Sequence, residues 1–203
     1  MELETVIKKR KSIRAFTDKK VSWKAALNAI ESANQCPFAG NHNNLKFLII
    51  ENKEIIKKIA GLADQQWISQ SSLLILVCSD DTNLENLYGE RGRVYSRQQA
   101  GSVIQTILLK LVDLGLAACW VGAYSDEILK EILDIPQHIQ IEAIIPIGYE
   151  DKTPFIKKPK KKELENVLYW EKWRENKRSP LFKEPEQQLA IKEKDDKAFI
   201  LKS

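Results

Sequence analysis

The sequence has little from which to build a disulfide or metal framework. It holds three cysteines, Cys36, Cys78 and Cys119, and two histidines, His42 and His138. No two cysteines are spaced as CxxC, so neither a disulfide scaffold nor a zinc site is expected. No apolar run approaches the ~18 residues that a membrane-spanning helix needs. The opening residues, MELETVIKKRKS, contain no apolar core of a secretory signal. With reduced thiols, this leads to the expectation of a cytoplasmic protein without a membrane partner. No strand-like run is followed by GxGxxG or GxxxxGK(S/T), so the phosphate loops of doubly wound nucleotide folds are missing. No internal repeat is visible.

What is present is an ordinary folding composition. The 203 residues are 43% hydrophobic and 30% charged, which excludes a wholly disordered chain. The length fits one large domain or two small ones and buries a substantial core. Charge is uneven along it. Residues 1–150 carry 17 Lys and Arg against 18 Asp and Glu, and residues 151–203 carry 15 against 10. The positive excess lies in the tail, which argues against the main body as a nucleic-acid binder.

Helices and strands alternate in the pattern. Leu3, Val6 and Ile7 read as a short opening helix. Ser22 reads as the cap of a second helix that turns Ala26, Leu27, Ile30 and Ala33 inward and ends before Pro37. Residues 45–51 read as a strand, and Asn52 as the cap of a helix to about Leu62. Residues 73–78, LLILVC, read as a strand buried on both faces. Residues 79–94, with Gly89 and Gly92, read as an exposed loop or lid, with a possible helical turn at NLENLY. The strongest helix runs over roughly 95–114, with Val103, Ile104, Ile107, Leu108, Leu111 and Leu114 on one side, and stops at Gly115. Ser125 reads as the cap of a helix to about Leu133, and residues 139–147 as a further strand. A helix carrying Leu164, Val167, Leu168 and Trp170 is expected beyond Pro159. Three or four strands among helices give an α+β, α/β-sandwich fold. The expected division is a domain over 1–170 and a charged extension over 171–203, flexible or wrapped on a partner.

Three stretches could carry chemistry. Arg10, Lys11, Ser12 and Arg14 combine cations with a hydroxyl where the first helix ends. In an extended segment Arg10, Ser12 and Arg14 project to one side, as an anion site would need, although a solvated basic helix end has the same composition. The loop Cys36-Pro37-Phe38-Ala39-Gly40-Asn41-His42-Asn43-Asn44 offers amide donors and acceptors suited to a heterocycle, or is a plain turn. The segment from Gly115 to Tyr124 is small, apolar and aromatic; it suits a flat ring as well as it suits the core. His42 reads as a loop residue and Cys119 as a small core filler.

Together these stretches resemble the nitroreductase family of flavoproteins. RKSIRAF is similar to that family's RxS-x-R/K-x-F segment, and CPFAGNHNN to its AP-S-x-x-N-x-Q-P-W loop. The helix from Gln99 into GLAACWVG is similar to its central helix and following turn. IPIGYEDKTPFIKKPKKKELENVLYW is similar to its closing segment. The resemblance covers roughly residues 2–170. It implies a mostly antiparallel sheet flanked by helices and a homodimer with FMN at the subunit interface. Position by position, it implies that Arg10, Lys11, Ser12 and Arg14 hold the phosphate, ribityl chain and N1/O2 edge of the flavin. Pro37, Phe38, Ala39 and Asn41 would reach the flavin from the other subunit, Val121 and Gly122 would lie near the ring, and Lys160 and Lys161 would complete phosphate binding. The implied activity is hydride transfer from NADH or NADPH through FMN to a small planar acceptor such as a nitroaromatic, a quinone or an enone. No side-chain nucleophile is required, because the cofactor carries the chemistry. Residues 79–97, with Arg91, Arg93 and Arg97, are the candidate lid over the substrate. Reductive dehalogenation, flavin breakdown and flavin binding without turnover are the alternatives. The sequence departs from the family pattern at Phe38 in place of Ser, at Asn43 and Asn44-Leu45 in place of Gln and Pro-Trp, at Glu163 in place of Pro, and at Gln99, where an acidic residue is common.

Overall fold

The computed structural model describes residues 1–153, 163 and 166–176. The chain divides into two compact units, Met1–Lys157 and Lys158–Ser203. In the first unit, helices α1 (Leu3–Lys9) and α2 (Trp23–Ala33) precede strand β1 (Leu45–Ile50) and helix α3 (Lys53–Leu62). Strand β2 (Leu73–Asp80), helices α4 (Thr82–Tyr88) and α5 (Arg91–Asp113), strand β3 (Ala117–Ala118), helix α6 (Asp126–Ile132) and strand β4 (Ile139–Gly148) follow. The four strands form one antiparallel sheet in the order β1-β2-β4-β3. The expected mixed helix and antiparallel-sheet fold is therefore present. Among the described residues no helix is long and apolar enough to cross a membrane.

Two-residue alternation explains why the sheet is covered on both sides. Leu73, Ile75 and Val77 of β2 enter one core with α2 and α5, while Leu74, Leu76 and Cys78 enter a second core with α3 and α6. In β4 the alternation breaks once. Val77 pairs with Ala143 but Cys78 pairs with Ile141, so Glu142 is an extra residue in the ladder. This bulge puts Ile141 and Ile144 in the same core although they are three apart.

The caps are local chemistry. Ser22 Oγ accepts from the Lys24 N–H, and Asn52 Oδ1 accepts from the N–H groups of Glu54 and Ile55. At the end of α5, Gly115 takes a left-handed φ of +75°. There the Leu116 N–H donates to the Leu111 carbonyl and the Gly115 N–H to the Val112 carbonyl, which closes the helix with paired backbone groups. Ser125 stands at the start of α6, but its side chain makes no cap bond; its N–H instead donates to the Leu62 carbonyl.

Several expectations are corrected. Residues 79–94 are not a loop: α4 and the first turn of α5 occupy them. Gly92 sits inside α5 because α4 crosses there, and a Cβ on it would strike the backbone of Leu84 and Glu85. Leu27 and Leu114 are exposed rather than inward; Ala26, Ala29 and Ala33 supply the buried face of α2. Of the opening helix only Val6 is buried, and Leu3 and Ile7 stand in the open. Val167 lies in a turn, Leu168 in irregular backbone and Trp170 in a bend, none of them in a helix. Leu164, Lys160, Lys161 and most of the charged extension lie outside the described residues.

Candidate functional site

After α1 the chain runs extended along the sheet's edge. The Ile13 N–H donates to the Ala118 carbonyl, the Thr17 N–H to the Tyr149 carbonyl, and the Asp151 N–H to the Ala15 carbonyl. Ile13 and Phe16 are buried with Ala117. Arg10, Ser12 and Arg14 fall on alternate positions of this extended stretch, and each lies near enough to the Cys119 thiol to act on it. Burial pushes the Cys119 thiol upward against the pull of Arg14, Ser12 and Arg10, so the thiol stays protonated and fills space. Lys11 is oriented differently: its Nζ lies 2.6 Å from Glu150 Oε1. Arg10 and Arg14 have no carboxylate partner among the described residues. A hydroxyl flanked by two uncompensated guanidiniums is what a phosphate or another oxyanion requires.

The loop after α2 is held from within. Pro37 and Phe38 lead into a single 3-10 turn, Ala39–Asn41, in which Gly40 and Asn41 are both left-handed. The Ala39 N–H donates to Gln99 Oε1 at 2.7 Å, and Cys36 Sγ is hydrogen-bonded to Thr106 Oγ1 at 3.1 Å. Asn43 Oδ1 accepts from the Leu45 N–H, closing the turn into β1. Phe38 packs on the first core. The side chains of Asn41 and His42 are exposed.

Val121 is buried in the second core, and its N–H and carbonyl are both bonded to Ile144. Its neighbours Trp120 and Gly122 are exposed. Trp120 lies beside Gly101 of α5. Gln99 and Gly101 are two residues apart, roughly 200° around a helix of 3.6 residues per turn. The loop at Pro37–Asn41 and the Trp120 ring therefore address different sides of α5.

The structure also contains a polar network that pattern reading missed. Gln99 Nε2 donates to Asn44 Oδ1 at 2.9 Å and to the His42 carbonyl at 3.2 Å. Asn44 Nδ2 donates to Ser96 Oγ at 2.7 Å and to the Asp80 carbonyl at 3.1 Å, and Ser96 Oγ donates to Asp81 Oδ1 at 2.6 Å. Arg97 then bridges Asp81 and Glu142, the bulged residue. Arg93 pairs with Glu85, and Arg91 lies 5.8 Å from the Tyr95 ring. These arginines are engaged on α5 rather than carried on a lid loop. The only signal in the sequence was four polar residues, Ser96, Arg97, Gln98 and Gln99, at the start of a helix whose later turns are apolar.

Fold and site together define an α+β protein with two guanidiniums near the buried Cys119 that lack carboxylate partners among the described residues, and an amide-rich loop held on Gln99. The model of the nitroreductase family matches residues 7–81 and 61–149, and the chain belongs to that family. It is 28% identical over 152 residues to an Archaeoglobus fulgidus protein whose name proposes an NADH dehydrogenase/NAD(P)H nitroreductase, covering 72% of this chain and 84% of the relative. It is 27% identical to an FMN reductase [NAD(P)H] of Bacillus subtilis, covering 68% of this chain and 62% of the relative. The crystal structure of a nitroreductase family protein from Clostridium novyi superposes with a TM-score of 0.69 at 26% identity, covering 86% of this chain and 96% of that one.

Proposed function

We propose that this chain is an FMN-dependent oxidoreductase that draws hydride from NADH or NADPH and reduces a small planar acceptor, such as a nitroaromatic, a quinone or an enone, in a ping-pong reaction. Family membership and the relatives named for NAD(P)H nitroreductase and FMN reductase activity support the class of reaction. The observation that carries the assignment to this chain is the gathering of Arg10, Ser12 and Arg14 at one edge, with both guanidiniums free of carboxylates among the described residues. That donor set fits an anionic, phosphate-bearing cofactor. FMN, when bound, supplies the hydride relay between donor and acceptor.

The protein's own contribution is placement and charge. Arg10 and Arg14 offset negative charge at the edge they face, and Ser12 supplies a neutral donor between them. Lys11, held by Glu150, keeps the segment seated on the sheet. The loop Pro37, Phe38, Ala39 and Asn41 approaches the flavin of a second subunit. Its position on a different side of α5 from Trp120, the residue after Cys119, supports that reading. So does the exposed apolar surface of Leu3, Ile7, Leu114 and Trp120, which a single chain leaves uncovered. Gly122 and Val121 are assigned to the vicinity of the ring.

The test is direct. The purified protein should be yellow, with bands near about 370 and about 450 nm, and should release FMN on denaturation. It should oxidise NADH or NADPH in the presence of a quinone or nitroaromatic. Colourless protein that takes up no added FMN would overturn the proposal.

A further inference from the structure

Two departures from the family's sequence pattern meet each other in space. Gln99 stands where an acidic residue is common, and Asn44 stands where the pattern has proline; their side chains are bonded to one another. We infer that Gln99 is a positioning residue: a neutral amide clamp that sets the loop Pro37–Asn41 for cofactor binding and that an ionised carboxylate cannot replace. The cofactor half of this inference rests on the flavin reading above; the clamp itself does not.

Each amide has only one satisfactory orientation. The Ala39 N–H can only donate, so it fixes Gln99 Oε1, and the His42 carbonyl can only accept, so it fixes Gln99 Nε2. Independently, the Asp80 carbonyl can only accept, so it fixes Asn44 Nδ2. Asn44 Oδ1 is thereby left facing Gln99 Nε2, and the two amides interlock. Gln99 is 5% exposed and Asn44 7%, so water cannot substitute for a lost partner. A glutamate at 99 could still accept from Ala39. Its second oxygen would face two acceptors, the His42 carbonyl and Asn44 Oδ1, and only the protonated acid would fit. The loop's other anchors are the Cys36–Thr106 contact before it, the Phe38 ring, the Tyr88 hydroxyl against Gly40, and Asn43 after it, which bonds Leu45 and Asn34. The clamp uses the Ala39 N–H from inside and leaves the exposed Asn41 side chain as the loop's outward polar group.

The ionisable groups reached from position 99 through these bonds are His42 on the loop, Asp80 at the end of β2, and, through Ser96, Asp81. Arg97 pairs with Asp81 and Glu142. The face of α2 packed on α5 is Ala26, Ala29 and Ala33 and brings no charge. A wild-type pH series therefore removes what these groups contribute.

The experiment compares wild type, Gln99→Met and Gln99→Glu as full chains. FMN affinity is read by fluorescence titration from about pH 5 to about pH 8, spanning the upper carboxylate range. Hydrogen exchange is read for the segment 36–44 of the flavin-free protein. Gln99→Met should weaken FMN binding by about 10- to 100-fold, the cost of orphaning buried donors and acceptors. It should also speed exchange at 36–44 while β2 and β4 stay protected. Gln99→Glu should approach wild type at the acid end and lose affinity toward the alkaline end, which a merely structural role would not produce. FMN affinity and loop exchange within about twofold of wild type for both variants at every pH would overturn the inference. If Gln99→Met does not fold, the Gln99→Glu pH series decides alone. If wild type binds no FMN, the flavin reading fails, and loop exchange still decides the clamp: faster exchange in the variants supports it and unchanged exchange sinks it.

Discussion

Replacing Arg97 by methionine separates two readings of the same side chain. As an arginine on a substrate lid, Arg97 would matter to the acceptor and little to the fold. In the structure its guanidinium joins Asp81 and Glu142, whose side chains are 12% and 10% exposed, while Arg97 itself is 39% exposed. Two charge-assisted hydrogen bonds at about 1.5–3 kcal/mol each give an upper bound of about 3–6 kcal/mol. Solvent screening of the part-exposed guanidinium reduces this to about 2–3 kcal/mol. In a domain of this size that is about 5–10 °C in Tm. Methionine keeps the packing stem but leaves two carboxylates facing each other across Ser79. The assay is urea and thermal unfolding of full-length protein. A triple variant, Arg97→Met with Asp81→Asn and Glu142→Gln, removes the orphaned charges and should recover about half or more of the loss. A stability of Arg97→Met within about 0.5 kcal/mol of wild type, the usual range for an uninvolved surface site, would refute the reasoning. It would return Arg97 to the substrate reading, especially if the KM for the acceptor rose.

Three further outcomes follow from the packing. Gly148→Ala would place a Cβ 2.7 Å from the ring of buried Phe16, so it should cost about 1–3 kcal/mol in urea unfolding and weaken FMN binding by displacing the adjoining cationic segment. Burial, with Glu142 and Asp126 nearby, pushes the Cys78 thiol from 9.0 up to about 11. The folded chain thus holds a proton that the unfolded chain releases, and this contribution to stability is complete below pH 9.0 and lost as pH rises toward about 11. In alkylation of native protein followed by mass spectrometry, half-buried Cys36 should react well before Cys78 or Cys119; early modification of Cys78 would contradict the packing.

Much of the scaffold was legible because single residues carried it. Ser22, Asn52 and Gly115 mark helix ends that the backbone needs, and LLILVC, short, apolar and bounded by polar residues, reads as the strand covered on both faces that it is. The region 79–94 reads as a loop because Gly89 and Gly92 look like loop residues. Their causes differ: Gly89 ends α4 with a left-handed φ of +58°, and Gly92 is small because α4 lies across it, which no local pattern reveals. Leu3, Ile7, Leu27 and Leu114 follow helical spacing yet are uncovered in one chain, since periodicity locates an apolar face without saying what covers it. At the candidate site, the alternation of Arg10, Ser12 and Arg14 was readable as geometry in an extended segment. The Gln99–Asn44 pair was not, because its partners are 55 residues apart. Each looked alone like a departure from a motif.

The extra residue in β4 has a consequence for chain length. Val77 and Cys78 already meet Ala143 and Ile141 on the faces that an uninterrupted ladder would require. A chain lacking residue 142 would keep both cores without repacking a single apolar side chain. This is an interior position of a sheet-buried strand where a one-residue deletion is compatible with the fold. What such a shorter chain would forfeit is the carboxylate to which the first turns of α5 are tied.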